Sequence, residues 1–329
     1  MVLLGVAGPS GGEPADTSGK SWSLAEISAI AGEGAFKPFA GNPVVSPGPK
    51  GTWDAGAIGS MNVLKVGETF HMYYEAWGVR GTSVADYLTL QIGHATSGDG
   101  LHWTKDPANP VLPKGDGWDK DGTWDPFVIF ENGVFKMWYG GGENTHCDWG
   151  YATSKDGTHF TKAGQLSNLG NVEDDHVVHD PASGHYWMFY WDRKRAPMGL
   201  MRAESPNETD FDFAHAEPIK IEGEKYPGSY KFSHVVRDGS QWFMFYSPFP
   251  RVRGCAGADV RLATSADGLH WLARSKNLVP GHDGELLKIA PDLYLLYYGP
   301  QGLFDLANCD VRVAILKGEL SALKVSPSE

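Results

Sequence analysis

After about residue 35 no stretch of this chain sustains an apolar period of 3.6, so long amphipathic helices are not expected. Instead, apolar and aromatic residues come in short runs bounded by Gly, Asp and Asn turns such as Asn132-Gly133, Asp156-Gly157, Asp238-Gly239 and Asp267-Gly268. That is the pattern of β-strands joined by hairpins. The runs themselves repeat. Phe70-His71-Met72-Tyr73-Tyr74 returns as Phe135-Lys136-Met137-Trp138-Tyr139, then as Tyr186-Trp187-Met188-Phe189-Tyr190 and Trp242-Phe243-Met244-Phe245-Tyr246, and more loosely as Tyr294-Leu295-Leu296-Tyr297-Tyr298.

A second repeat is interleaved with the first. Ala95-Thr96-Ser97-Gly98-Asp99-Gly100-Leu101-His102-Trp103 recurs at Ala152 to Phe160 and at Ala263 to Trp271. The first two copies start 57 residues apart and the last two 111 apart, about twice that period, so one degenerate copy is missing between them. Met201-Arg202-Ala203-Glu204-Ser205-Pro206 fills the slot. Long-period repeats of strand units that cannot bury their own faces signal a propeller or array. Five copies predict an all-β, five-bladed β-propeller, with blades over 54–112, 124–166, 172–219, 231–279 and 283–319. Residues 1–35 read as an N-terminal extension, mobile over its Gly- and Pro-rich first 19 residues, with a short helix or cap over 23–30; 36–329 read as the propeller. Asn42-Pro43-Val44-Val45 resembles Asn109-Pro110-Val111-Leu112 at the end of the first blade. Residues 36–48 are therefore expected to complete the last blade and close the ring, leaving no unpaired edge.

Composition removes several classes. A formal net charge of -12 lacks the basic footprint of a nucleic-acid or anionic-membrane partner. There is no transmembrane run, and Val2-Leu3-Leu4-Gly5-Val6-Ala7 is too short, and lacks the basic flank, for a signal peptide as it stands. Cys147, Cys255 and Cys309 are odd in number and widely spaced, so they form neither a disulfide framework nor a zinc motif. No cofactor and no metal site is read from the spacing. Most of the 12 Trp, 13 Tyr and 15 Phe residues belong to strands. Trp53, Trp124 and Trp118 stand beside acids, as stacking faces in a sugar pocket would.

Gly-Thr-Trp-Asp occurs twice, ending at Asp54 and at Asp125. Aligned on the Met-aromatic-Tyr strands, Asp125 matches Asp174 within Glu173-Asp174-Asp175-His176; the fourth blade offers His234 and the fifth Glu285. Inner strands line a propeller's axis, so Asp54, Asp125, the Glu173–Asp175 run, His176, His234 and Glu285 are expected to converge in one funnel. Clustered carboxylates repel and divide into a protonated and an ionised member, the division glycoside hydrolysis requires. Asp99, Asp156 and Asp267 lie in tight hairpins and read as turn formers.

The hairpin repeats, the Asn-Pro-Val outer strands and Trp124-Asp125-Pro126-Phe127-Val128 resemble those of the five-bladed β-propeller glycoside hydrolases, the assembly of families 32, 43, 62, 68, 117 and 130. The resemblance covers about residues 36–319. It implies a carbohydrate substrate and O-glycosyl hydrolysis, with exo action on poly- or oligosaccharides. It also implies Asp54 as base or nucleophile, Asp125 or Asp174 as transition-state stabiliser and Glu173 as general acid, with Trp53, Trp124, Asp175, His176, His234 and Glu285 binding substrate. Lys231-Phe232-Ser233-His234 departs from the family 43 pattern, which places an acid in the fourth blade. Either Glu173 serves, as in family 32, or a histidine, His176 or His234, as in family 117. The hairpin also resembles the sialidase Asp-box, but it is one residue shorter, the blades number five and no arginine stands at a blade entrance. Two alternatives stay open: a glycoside phosphorylase using Arg193, Lys194 and Arg195 or Arg251 and Arg253 for phosphate, and a non-catalytic carbohydrate-binding propeller.

Overall fold

A computed structural model of the chain describes residues 21–78, 89–143, 146–167, 169–170, 172–192, 194, 199–224, 230–248, 259–300 and 310–323. They form five sheets, the blades of a propeller, designated I to V in chain order and antiparallel except for one short parallel edge pair in each of blades IV and V. The inner strands are Ala57–Val66, Gly122–Glu131, Val172–His179, Tyr230–Asp238 and His282–Ala290, and each pairs with the next strand in sequence. Residues 1–20, which include the 19 expected to be mobile, lie outside the described residues, as do Cys255 and Cys309; Cys147 is half-buried.

The Met-aromatic-Tyr run is the second strand of every blade, and its alternation explains how blades stack. Side chains on a strand point alternately to its two faces, and both faces here meet another blade. Tyr73 packs with Met137 and Tyr139 of blade II. Trp138 packs with Met188 and Tyr190 of blade III, and Phe189 with Met244 and Tyr246 of blade IV. Phe245 meets Leu296 and Tyr298 of blade V, and Tyr297 returns to Met72 and Tyr74 of blade I. One rule thus generates all five interfaces. Truncating any of these large buried side chains to Ala costs about 2–5 kcal/mol.

The hairpin repeat supplies the polar half of the same contact. Asp99 Oδ1 accepts from the amides of Leu101 and His102 at 2.8 and 2.9 Å; Asp156 and Asp267 repeat this geometry. In the degenerate copy Asn207 does the same work, accepting from Thr209 and Asp210. These turns are structural, as expected. Each offers a carbonyl to the preceding blade: Tyr297 Oη donates to Gly100, Tyr73 Oη to Gly157 and Trp138 Nε1 to Glu208, all at 2.8 Å.

The ring closes through the N-terminus, as the sequence predicts. Lys37–Pro38 pairs with Arg312–Lys317 of blade V, and Val45 bridges Val311. Asn42 clasps Val313, donating to its carbonyl at 2.9 Å and accepting from its amide at 2.8 Å. Asn109 clasps His94 in the same way in blade I, which is why the two Asn-Pro-Val segments look alike. Pairing also reaches upstream of residue 36. Gly32–Glu33 runs parallel to the same blade V strand, and the helix Leu24–Ile30, held by a Ser23–Glu26 capping box, buries Ile27 in the junction of blades V and I. Trp22 donates its amide to Asp99, tying this segment to blade I.

Two outcomes are expected. Asn42→Ala removes both bonds of the clasp and is expected to lower unfolding stability by about 1–3 kcal/mol, while the exposed Lys37→Ala leaves it unchanged; urea titration measures both. The second outcome concerns acid. Burial, and then the neighbouring His94, lower the pKa of His71 to about 4, and burial lowers that of His94. The folded chain therefore binds fewer protons than the unfolded chain below the usual histidine value of about 6.5. The stability this pair confers is full above that value and declines as pH falls toward 4. Melting temperatures between pH 7 and 4.5 are expected to fall, and His71→Phe to flatten that slope.

Candidate active site at the strand entrances

Every inner strand carries a β-bulge near its entrance, at the same point of the pairing in blades II to V and one position earlier in blade I. The register breaks between Ile58 and Met61, Trp124 and Phe127, Glu173 and His176, Phe232 and His234, and His282 and Glu285. Bulges re-aim side chains beside functional sites. Two residues before the aligned belt position stand Ser60, Asp125, Asp174, Phe232 and Asp283. Two of these adopt left-handed backbone geometry, Asp125 at φ 41° and Asp283 at φ 51°, which costs a non-glycine residue free energy and concentrates at functional sites.

The residue just past the bulge in blades II to V, and the one after that in blade I, face the axis, and the five form a closed belt: Asn62, Phe127, His176, His234 and Glu285. Asn62 donates to Glu285 at 2.7 Å and accepts from the Val128 amide of blade II at 3.0 Å. Glu285 also accepts from the Val63 amide of blade I at 3.3 Å and bonds His234 Nδ1 at 2.5 Å. His176 packs edge-on to His234, ring centroids 4.5 Å apart, and against Phe127 at 4.0 Å. All five are at most 8% exposed. Burial, and then His234, hold the His176 pKa well below the ordinary value, so its ring stays neutral. His176, His234 and Glu285, expected to line an open funnel and bind substrate, are instead buried in this belt.

The belt separates the two ends of the axis. At the hairpin end a cavity of about 770 Å³ is walled by the far halves of the blade II–IV inner strands, including Ile129, Val178, His179 and Arg237, with His176 and His234 in its lining. At the entrance end sit the bulges. There Asp125 and Trp124 are half-buried, and the Asp125 amide donates to Glu75 Oε2 at 2.9 Å. Glu75 lies so close to Gly59 of blade I that a Cβ there would meet its carboxylate at 2.1 Å. Glu173 is half-buried opposite Trp191 on the neighbouring blade III. Asp174 and Asp175 occupy the blade III bulge; their side chains lie outside the described residues. Asp283 is buried and bonds His282 Nδ1 at 2.7 Å.

Asp54 is committed to partners of its own blade. It is 4% exposed, accepts from Thr52 Oγ1 at 2.7 Å and is ion-paired to Lys105 of the blade's outer strand. Its counterpart in blade II is Asp119, which takes Lys162 at 2.6 Å. The flanking tryptophans match as well. Trp53 covers Gly93 and stacks on Tyr74, and Trp118 covers Gly150 beside Tyr139. The shared Gly-Thr-Trp-Asp was therefore a misleading anchor. Trp53 and Trp118 stand 65 residues apart, as do Tyr74 and Tyr139, whereas Trp53 and Trp124 stand 71 apart. Glu75, missed in the sequence, was marked there too: it is the only carboxylate directly after the Met-aromatic-Tyr run, where the other blades carry Gly140, Trp191, Ser247 and Gly299.

Of the basic residues considered for phosphate, Lys194 donates its ammonium to the Leu169 carbonyl; Arg193, Arg195, Arg251 and Arg253 lie outside the described residues.

No known family model matches the sequence. Sucrose-6-phosphate hydrolase of Escherichia coli is 28% identical over 208 residues, covering 55% of this chain and 39% of that protein. Raffinose invertase of the same organism is 26% identical over 54% of this chain and 39% of its own length. The chain thus spans about two fifths of the curated relatives it matches. Among solved structures, β-1,2-mannobiose phosphorylase from Listeria innocua superposes with a TM-score of 0.66 at 13% identity, over 86% of this chain and 96% of that one. A glycosyl hydrolase from Bacteroides ovatus gives 0.65 at 17% identity, over 85% and 93%. The likeness is one of fold. It is the five-bladed propeller of the glycoside hydrolases that the sequence resembles.

Because Asp54 neutralises a partly buried lysine, Asp54→Asn is expected to destabilise the fold by about 1–2 kcal/mol, discounted for the solvent that reaches Lys105. Adding Lys105→Met should recover part of that loss. A double-mutant cycle in urea measures the coupling; independence of the two changes would show that the pair contributes nothing.

Proposed function

We propose that this chain hydrolyses O-glycosyl bonds at the entrance mouth, with Asp125 as the base or nucleophile and Glu173 as the general acid. Asp174 lies at the equivalent bulge of the next blade and is assigned to stabilise positive charge on the sugar. The observation that carries this reading is Asp125 itself: a half-exposed carboxylate on a strained bulge, its amide fixed by Glu75, beside the aromatic face of Trp124. Asp54 is released from the role that the family resemblance implies, since its carboxylate is committed to Lys105. Glycosidic cleavage needs one carboxylic acid to protonate the leaving oxygen and one carboxylate to attack or to activate water; neighbouring blades II and III supply one each.

The buried belt supports exo action. It ends the mouth blindly at the axis, a shape that receives the end of a glycan in preference to its middle. The sugars handled by the relatives define the first substrates to try: sucrose, sucrose 6-phosphate, raffinose and β-1,2-mannobiose. Phosphorolysis is the second reading, favoured by the fold likeness to a mannobiose phosphorylase.

The test is sugar release from these four substrates, with and without inorganic phosphate. Asp125→Asn and Glu173→Gln are each expected to cut turnover by about 10²–10⁴-fold while melting near the parent. Phosphate-dependent formation of a sugar phosphate would transfer the assignment to phosphorolysis. Sugar binding without turnover in the parent on any glycan of a wider screen would leave a binding propeller. Parental turnover in a folded Asp125→Asn protein would remove Asp125 from the chemistry.

A further inference from the structure

The belt contains more chemistry than packing requires. Blade II fills its belt position with Phe127, so a plain aromatic ring suffices to plug the axis there. Blades III, IV and V instead bring His176, His234 and Glu285 together, each at most 8% exposed. One donor atom from each lies within 4.8 Å of the others. Burying a carboxylate among imidazoles is costly unless each group is satisfied by a partner. Half of Glu285 is satisfied by protein: Oε1 takes the Asn62 amide and the Val63 N–H. Oε2 shares a single short bond with His234 Nδ1.

The geometry points to a divalent metal site of the zinc class on the propeller axis, with His176, His234 and Glu285 Oε2 as ligands. Two imidazole nitrogens and one carboxylate oxygen are a donor set that suits Zn²⁺ and its neighbours better than the hard cations Ca²⁺ and Mg²⁺. Ligands about 2.0–2.2 Å from a tetrahedral zinc stand about 3.4 Å from one another. The three donors reach that spacing if the His234–Glu285 contact widens by about 1 Å and His176 closes by about as much, small rotations for side chains. The metal takes the place of the hydrogen between His234 and Glu285, and the imidazole then carries its proton on the other ring nitrogen. Asn62 and the Val63 amide then hold the ligating carboxylate from behind, the role such outer partners play in metal sites.

A second feature is independent of the donor set. The hairpin-end cavity has His176 and His234 in its lining, which gives an ion a route to the belt and leaves room for a water as the fourth ligand. This route opens at the end of the axis opposite Asp125. The proposal therefore stands whether or not the entrance mouth cleaves glycans.

The experiment uses tag-free, full-length protein treated with a chelator and then exchanged into metal-free buffer. Zn²⁺ is titrated in the presence of a weak competing chelator, bound metal is counted by mass spectrometry, and melting temperature is followed in parallel. The expected result is about one zinc per chain and a rise in melting temperature. His176→Phe copies the residue that blade II carries at this position, and it should weaken zinc binding at least tenfold and abolish the thermal shift. Should that variant fail to fold, His176→Gln and Glu285→Gln serve the same purpose. Zinc held by exposed histidines such as His159, His215 and His270 would be unaffected by these changes. Equal binding by parent and variants, no stoichiometric zinc, or a preference for Ca²⁺ or Mg²⁺ would overturn the proposal.

Discussion

Five inner strands must meet at one axis without leaving a hole or an unpaired polar group, and the belt of Asn62, Phe127, His176, His234 and Glu285 is how this chain meets that constraint. Asn62 and Glu285 each reach a backbone amide of the next blade, at Val128 and Val63. Those amides are freed for such bonds because inner strands have no strand on their axial side. An unsatisfied buried amide would cost about 1–3 kcal/mol, so a side chain that accepts from it fixes the height of one blade against the next. The bulge just ahead of each belt residue follows from the same geometry. It lets the residues ahead of the belt turn toward the mouth before the next side chain is committed to the axis.

The division of labour in the molecule follows. Around the circumference, aromatic residues from one blade insert beside the Met and Tyr of the next, and hairpin carbonyls take their polar tips. That contact is repeated and carries stability. Departures from the repeat carry the chemistry proposed here. Asp125 and Asp283 hold left-handed geometry where most strand residues do not, and Glu75 stands where other blades have small or aromatic residues. The polar belt members are a second departure, since an apolar ring already serves blade II. Strain and buried polarity at points where the repeat is broken are the signature of sites that pay for function with stability.

The fold was legible because its signal is redundant. Five strand copies, three hairpin copies and two Asn-Pro-Val segments all report one period, and even the degenerate copy kept an Asn at 207 to do the aspartate's work. The site was only partly legible. Asp125 and its register with Asp174 emerge from the strand alignment, but Asp54 was drawn in by a four-residue identity whose spacing disagrees with that of the strands. A short identity reports shared local chemistry, whereas the strand spacing reports position in the sheet. The burial of His176, His234 and Glu285 could not be read at all, because whether an axial side chain lines a funnel or plugs it depends on the partners it meets from other blades. Those partners, Asn62 above all, carry no motif.

The central claim is that carbohydrate chemistry belongs to the entrance mouth, above a belt that closes the axis. A crystal structure of the Asp125→Asn protein soaked with a sugar that the parent cleaves or binds tests it most directly. The account predicts a sugar ring in the mouth within hydrogen-bond distance of position 125 and Glu173, and an unbroken belt beneath it. Sugar density in the hairpin-end cavity beside Arg237 and Trp242, with the mouth empty, would contradict it.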